Sequence, residues 1–349
     1  MTKTYLITLQ PTGKFFFGGD MTFKVASEED KFNEQFSSYI ISSNKFPQQT
    51  SLLGMLRFLL LKNSGKEVFA YNKIQNHDAA RTLIGEHSFC VGKQDGYGMI
   101  KGISPCFLVC DGLPIDLHAL GGEYQIGFEK RRKGTINGME ISLPMMKKVS
   151  PEKEYDAKCS LEDPMKEYFV EDVRVGIIKD KKESDKDALF KQINYRFSKE
   201  NTQFAFYAKV DESIALTSYD GQQVNLGADS SIFTIGIQEK QAEDRKIVGN
   251  IKGSAIVLES PTYLTKDDIR NLKYAITKVI PFKFMSTTVE TKNYNRLGRE
   301  IKHSDKYHLY DMGTVFYFEK AQDMREFAAH IERHTDFREI GYNHYIINE

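Results

Sequence analysis

The chain has 349 residues, enough for one large domain or two ordinary ones, each able to bury its own core. Hydrophobic residues make up 40% and charged residues 28%, which excludes a disordered or fibrous protein. The 48 basic residues equal the 48 acidic ones, so no global field draws the chain to nucleic acid or to an anionic membrane, and any such binding must use local patches.

Four cysteines, Cys90, Cys106, Cys110 and Cys159, are too few and too irregularly spaced for a disulfide framework, which fits a reducing cytoplasm. "CFLVC" at 106–110 places three large apolar residues between two thiols, the pattern of a buried strand rather than of a zinc knuckle. The N-terminus goes straight into a strand pattern, with no secretory signal. The longest apolar run, within 52–61, is too short to span a bilayer, so the chain is expected to be soluble and cytoplasmic.

In chain order, "TYLITLQ" (4–10) reads as a strand and leads into "TGKFFFGGD", a glycine-bounded segment with three consecutive phenylalanines. Alternate side chains of an extended segment point to opposite faces, so Phe16 opposes Phe15 and Phe17. Either the segment is buried on both sides or one face is an aromatic platform. Pro47 then starts a helix running to about Lys62, apolar nearly all round and so packed on several sides. Inside it, Gly54 carries a helix-propensity cost of ~1 kcal/mol against alanine, which predicts a close backbone approach, and Arg57 is a charge that needs a partner.

Between 68 and 150 short apolar runs alternate with glycines, predicting short strands and long loops, with the basic cluster Lys130, Arg131, Arg132 and Lys133 in a loop. The polar stretch "SPEKEYDAKCSLEDPMKE" (150–167) is the expected domain boundary, giving units 1–165 and 166–349. In the second half, 202–210, 230–238, 253–261 and 312–320 read as strands, and "YNHYIIN" closes the chain. "TKDDIRNLKYAITKVI" (265–280) predicts a helix capped by Thr265, and "QDMREFAAHIERH" an amphipathic helix. The expected fold class is α+β, with two ferredoxin-like, RNA-recognition-motif-like domains carrying long loop and strand insertions.

Familiar catalytic signatures are missing: no phosphate loop, no nucleophile elbow, no zinc-protease motif, no dinucleotide fingerprint. His77 and Asp78 form a His-Asp pair without further ligands in pattern, and no cofactor is expected. Five of the eight histidines, His303, His308, His330, His334 and His344, lie in the last fifty residues, which leaves a metal-independent ribonuclease open. Basic clusters are the stronger signal. Lys130 to Lys133, Lys147 with Lys148, and "KNYNRLGREIKHSDKYH" (292–308) mix cations with tyrosine, asparagine and glycine, the residue types that hold single-stranded RNA.

"PTGKFFFGG" followed by "FPQQTSLLGMLRFLLL" resembles the N-terminal signature of the RAMP superfamily of CRISPR proteins, in which a strand and glycine loop precede a Pro-initiated helix with a Leu-Gly-x-Leu-Arg core. "VRVGIIKD", "INYRF", "FAFYAKV" and "DSSIFTIGI" are similar, in that order, to the superfamily's second-half landmarks. Order and length look most similar to the subunit of type III-B (Cmr) effector complexes that holds the repeat-derived 5′ tag of the crRNA. That resemblance implies no nuclease activity, and as partners crRNA, the large polymerase/cyclase-like subunit and the backbone RAMP subunits, with target RNA met indirectly and no membrane. It implies RNA contacts at Gln48, Gln49 and Ser51 of the helix N-terminus and at Arg57; Lys14 and, from the basic clusters, Lys130, Arg131, Arg132, Lys133, Arg296, Arg299 and Lys302 are the further RNA-binding candidates. Members often close with a glycine-rich loop, whereas this chain has a single Gly341 there, so Tyr342 and Asn343 are expected to share that work. Two other classes stay open: a RAMP-type endoribonuclease that processes crRNA precursors, and a metabolic enzyme on a ferredoxin-like fold.

Overall fold

A computed structural model describes residues 1–19, 21–24, 38–93, 96–115, 124–136, 139–148, 165, 167–177, 189–229, 231–241, 254–270, 272, 274–290 and 302–348. The architecture is mixed α+β and rich in sheet. No helix among the described residues is long and apolar enough to cross a membrane.

The main sheet is built on Thr2–Pro11, where Tyr5, Ile7 and Leu9 alternate inward with no exposure. Its neighbours are Thr202–Asp211 on one side and Ile232–Lys240 on the other, both antiparallel, with Ile7 opposite Phe206 and Ile237. Thr202–Asp211 pairs in turn with Phe107–Cys110 and Ile100–Ile103, so "CFLVC" is the buried strand its apolar centre predicts. In chain order the four principal strands thus lie fourth, first, third, second across the sheet. Helix α1, Gln49–Lys62, covers one face, and its leucines join Tyr5, Ile7, Leu9, Phe204 and Phe206 in the largest core cluster.

A second, four-stranded sheet comprises Ala255–Leu258, Tyr274–Ile276, Val315–Tyr317 and Tyr345–Asn348, all antiparallel and again in the order fourth, first, third, second. Helix α3, Ala321–Glu332, packs Met324, Phe327, Ala328 and Ile331 onto Ile256, Leu258 and Phe316. The expected boundary at residue 165 does not separate these sheets. Strands 202–240 belong to the sheet of Thr2–Pro11, because their inward residues complete its core, and the change of sheet falls between Lys240 and Ala255.

Two other expectations are corrected. The helix predicted over 265–280 is a single turn: Thr265 and Asp268 form the reciprocal cap (Thr265 N to Asp268 Oδ2 2.6 Å, Asp268 N to Thr265 Oγ1 3.3 Å), but Tyr274–Ile276 then pairs with Val315–Tyr317 as a strand. Lys130 to Lys133 lie not in a loop but within a long strand, Tyr124–Ile136, which pairs with Met139–Lys148 as a hairpin.

The phenylalanine triplet is buried on both sides. Phe15 and Phe17 enter the main core 5.0 Å apart, while Phe16 lies outside that cluster, its amide donating to Ser231 Oγ (3.0 Å). Gly227 makes that approach possible: its φ is +89°, and a Cβ there would sit 2.3 Å from the Phe16 oxygen.

Candidate nucleic-acid interface

Helix α1 buries nearly its whole circumference, leaving one narrow stripe, Ser51, Gly54, Phe58 and Lys62, open at helical spacing. The close approach predicted at Gly54 is made by none of the described residues, since an added Cβ would meet none of them within 4 Å. Bare helix backbone instead forms part of the floor of a cavity of about 1100 Å³. Phe58 is 49% exposed beside it and stands edge-on to Phe69 at 5.9 Å. The walls come from α1, the small hairpin Phe69–Ala70 and Lys73–Ile74, the start of helix α2 (His77–Ile84), and residues 283–290 with His303 of the C-terminal half.

This cleft is locally positive although the chain is neutral. Among the described residues Lys73, Lys283 and Arg57 are the cations that line it, with the imidazoles of His77 and His303 beside them, against one carboxylate, Glu290, which faces Arg81 at 3.5 Å. Ser51, Gly54 and Phe58 also border a smaller cavity, of about 300 Å³, on the other side of the stripe, lined by Lys62, Asn225 and Gly227. The cleft thus joins cations, a half-exposed aromatic ring and uncovered backbone, the set that tracks a single nucleic-acid strand.

Arg57 is 7% exposed, and among the described residues backbone carbonyls are its hydrogen-bond partners. Its Nε donates to the Ile84 carbonyl (3.0 Å) and Nη2 to that of Gly85 (3.4 Å), so it satisfies the orphan carbonyls at the C-terminus of α2, where positive charge is favoured. Burial lowers its pKa to about 10, with Tyr97 and Glu86 pulling the other way, so it stays charged at neutral pH. Asn76 caps the other end of α2 by accepting from the Ala79 amide, and Arg81 reaches Asp78 and Glu86; these contacts account for the "NHDAAR" motif.

The N-terminus of α1 is closed rather than open to phosphate at Gln49. Its amide donates to Tyr342 Oη (3.2 Å), and its Nε2 donates to the carbonyls of Ser104 (3.0 Å) and Gly341 (2.9 Å). Gln49, Tyr342 and Asn343, expected at an RNA surface, are therefore enclosed: Gln49 and Tyr342 join the two halves of the chain, and Asn343 ties together segments of the C-terminal half. Tyr342 is fully buried, which raises its phenol pKa far above the ordinary value and keeps it neutral. Asn343 donates to the carbonyls of Tyr263 and Ile331 and accepts from the Tyr263 amide.

Of the other expected contacts, Gln48 and Ser51 line the cleft with Arg57. Lys14 lies elsewhere and pairs with Asp172. Arg296 and Arg299 lie outside the described residues, as do the side chains of Lys130, Arg131, Arg132, Lys133 and Lys302. Phe58, Lys73 and Lys283 were not anticipated. The spacing of Ser51, Gly54 and Phe58 was the available signal for the first, whereas the lysines, one in a hairpin strand and one just after a strand, are brought together only by the fold.

His330 and His334 flank one carboxylate. Asp268 meets His330 Nδ1 at 3.2 Å, His334 Nε2 at 3.1 Å and Arg333, with its own side chain closed to solvent. Burial would raise its pKa, but the Thr265 hydroxyl and amide, His334 and Arg333 outweigh that and hold it below the usual carboxylate range.

The family model Cas_Cmr3, CRISPR-associated protein, matches residues 135–349, more than half of the chain. The chain belongs to the Cas_Cmr3 family. It is a Cmr protein of the CRISPR systems, as the resemblance to the RAMP superfamily led one to expect. The match takes in the second sheet, the strands 202–240 and the far wall of the cleft, and begins after α1. Two solved structures are similar to this member of the family. A chain of a type III-B Cmr-beta complex bound to cognate target RNA is 14% identical over 99% of both chains, with a TM-score of 0.48. One from the complex with cognate target RNA and AMPPnP is 15% identical over 99% of this chain and 96% of that one, with a TM-score of 0.46. No curated protein matches.

Proposed function

We propose that this Cmr protein is the non-catalytic RNA-binding subunit of a cytoplasmic type III-B effector ribonucleoprotein, anchoring the repeat-derived 5′ tag of the crRNA. In that assembly it contacts the large polymerase/cyclase-like subunit and the backbone RAMP subunits, and meets target RNA through the crRNA. The observation that carries this reading is the cleft over α1, positive and aromatic in a chain of zero net charge. Lys130 to Lys133, Arg296, Arg299 and Lys302 are further phosphate contacts in this reading. The repeated strand order supports two ferredoxin-like units, each with one of the two crossover helices reduced to a turn.

The test is to tag the protein in its native host, crosslink, and sequence the RNA that copurifies. Small RNAs sharing one repeat-derived 5′ end, with other CRISPR subunits in the eluate, are expected; RNA no higher than background would refute the role. A second reading, an endoribonuclease that processes crRNA precursors, rests on His77 and His303 both lining the cleft. It predicts that the H77A/H303A variant accumulates unprocessed precursor.

A further inference from the structure

The hairpin on the cleft wall ends in a turn whose two residues, Tyr71 and Asn72, both have positive φ, 53° and 55°. Such a two-residue turn favours asparagine and glycine, because a side chain in the left-handed region crowds its own backbone. Asn72 suits it, and Tyr71 does not. Tyr71 is nevertheless held there 94% exposed, so no burial against the described residues offsets the conformational cost. The hairpin carrying it is pinned. Gln75 Nε2 donates to the carbonyls of Ala70 (3.1 Å) and Lys73 (3.2 Å), and the Gln75 amide donates to Val68 (2.8 Å).

We propose that Tyr71 is a stacking finger that holds one unpaired nucleobase of single-stranded RNA at the mouth of the cleft. This rests on the RNA-binding reading and assigns a residue within it. Phe69, two residues before Tyr71, and Asn72, directly after it, line the cleft, and Lys73 follows with no carboxylate paired to it among the described residues. A base laid on the Tyr71 ring therefore has a cation beside it for its phosphate and an amide, Asn72, for its edge. Phe58, edge-on to Phe69 of the same hairpin, and Met285 of the 283–290 wall, 49% and 57% exposed, offer apolar surface to the next base. The local charge favours RNA over an acid-poor protein surface, and a phenol ring accepts any base because every base has a π-face.

The test uses the full chain and a fluorescein-labelled single-stranded RNA of mixed sequence, read by anisotropy, with Tyr71→Ala, Tyr71→Phe and the K73A/K283A double variant. Tyr71→Ala is expected to weaken binding about ten-fold, within the range of one base–aromatic stack. Tyr71→Phe should stay within about two-fold, since the ring and not the hydroxyl does the stacking. Thermal unfolding of Tyr71→Ala should match or exceed that of the parent, which separates lost binding from lost fold. Unchanged binding by Tyr71→Ala alongside weakened binding by K73A/K283A would overturn the finger and leave the cleft standing. Tyr71→Ala that binds RNA normally but releases another subunit from the purified complex would also overturn it, making Tyr71 a protein contact. A parent chain that binds no RNA would sink both readings.

Discussion

Asp268 is a carboxylate closed to solvent, with Thr265, His330, Arg333 and His334 around it. It ties the turn after Pro261 to the end of α3. Removing one partner from such a buried set leaves the others unsatisfied, so Asp268→Asn should cost about 3 kcal/mol near neutral pH. The folded-state pKa is depressed, so the stabilisation is present above the unfolded carboxyl value, about 3.9, and is lost as pH falls through the lower folded value. Urea unfolding of parent and variant should therefore differ most at neutral pH and converge in strong acid. A gap that persists unchanged in acid would exclude the charge as its source. At this scale, sequence reading recognised that a buried Arg57 needs a partner but not which one. A phosphate, a carboxylate and a pair of helix-end carbonyls all satisfy a guanidinium, and the choice depends on a helix folded 27 residues away.

Helix α1 was legible almost in full, from Pro47 before it to "KNSG" after it, because capping and helix-breaking act within a few residues. Gly54 is its one costly position, and the structure shows open space where alanine would place a methyl group. Gly54→Ala should therefore stabilise the protein by about 1 kcal/mol in chemical denaturation while weakening RNA binding in the same preparation. A destabilised variant would mean that the helix face is covered in the free protein. The element misread from sequence, 265–280, fails for a physical reason. Its start signal is genuine, but a capping box fixes only a turn, and the pairing of Tyr274–Ile276 with Val315–Tyr317 then outweighs helix propensity.

The two sheets are held together by a clamp between α1 and the loop at Gly341, with its φ of +85°. A Cβ on Gly341 would lie 2.2 Å from Gln49 Nε2 and 2.4 Å from the Ser104 oxygen. Gly341→Ala combines backbone strain with that collision, so it should cost about 3 kcal/mol. Because the clamp spans both sheets, the variant's urea unfolding should broaden or split into two steps; a parent-like single transition would show that the clamp does not couple them. Beyond the clamp, Phe282, Leu309, Phe337 and Tyr342 enter the core shared with α1, so the C-terminal half completes the N-terminal one.

The amino-acid sequence alone determined the mixed α+β character, the principal strands and the two main helices, and left the phenylalanine triplet between burial on both faces and an aromatic platform. These follow from periodicity and capping, interactions that reach only a few residues along the chain. Its ordered motifs also pointed to the superfamily. Tertiary structure alone decided that 202–240 joins the first strand, that Gln49 meets Tyr342 across 293 positions of sequence, and that Lys73, Lys283 and Phe58 face one cleft. Contacts at such separations are set by which apolar faces bury each other, and no local pattern encodes the partner.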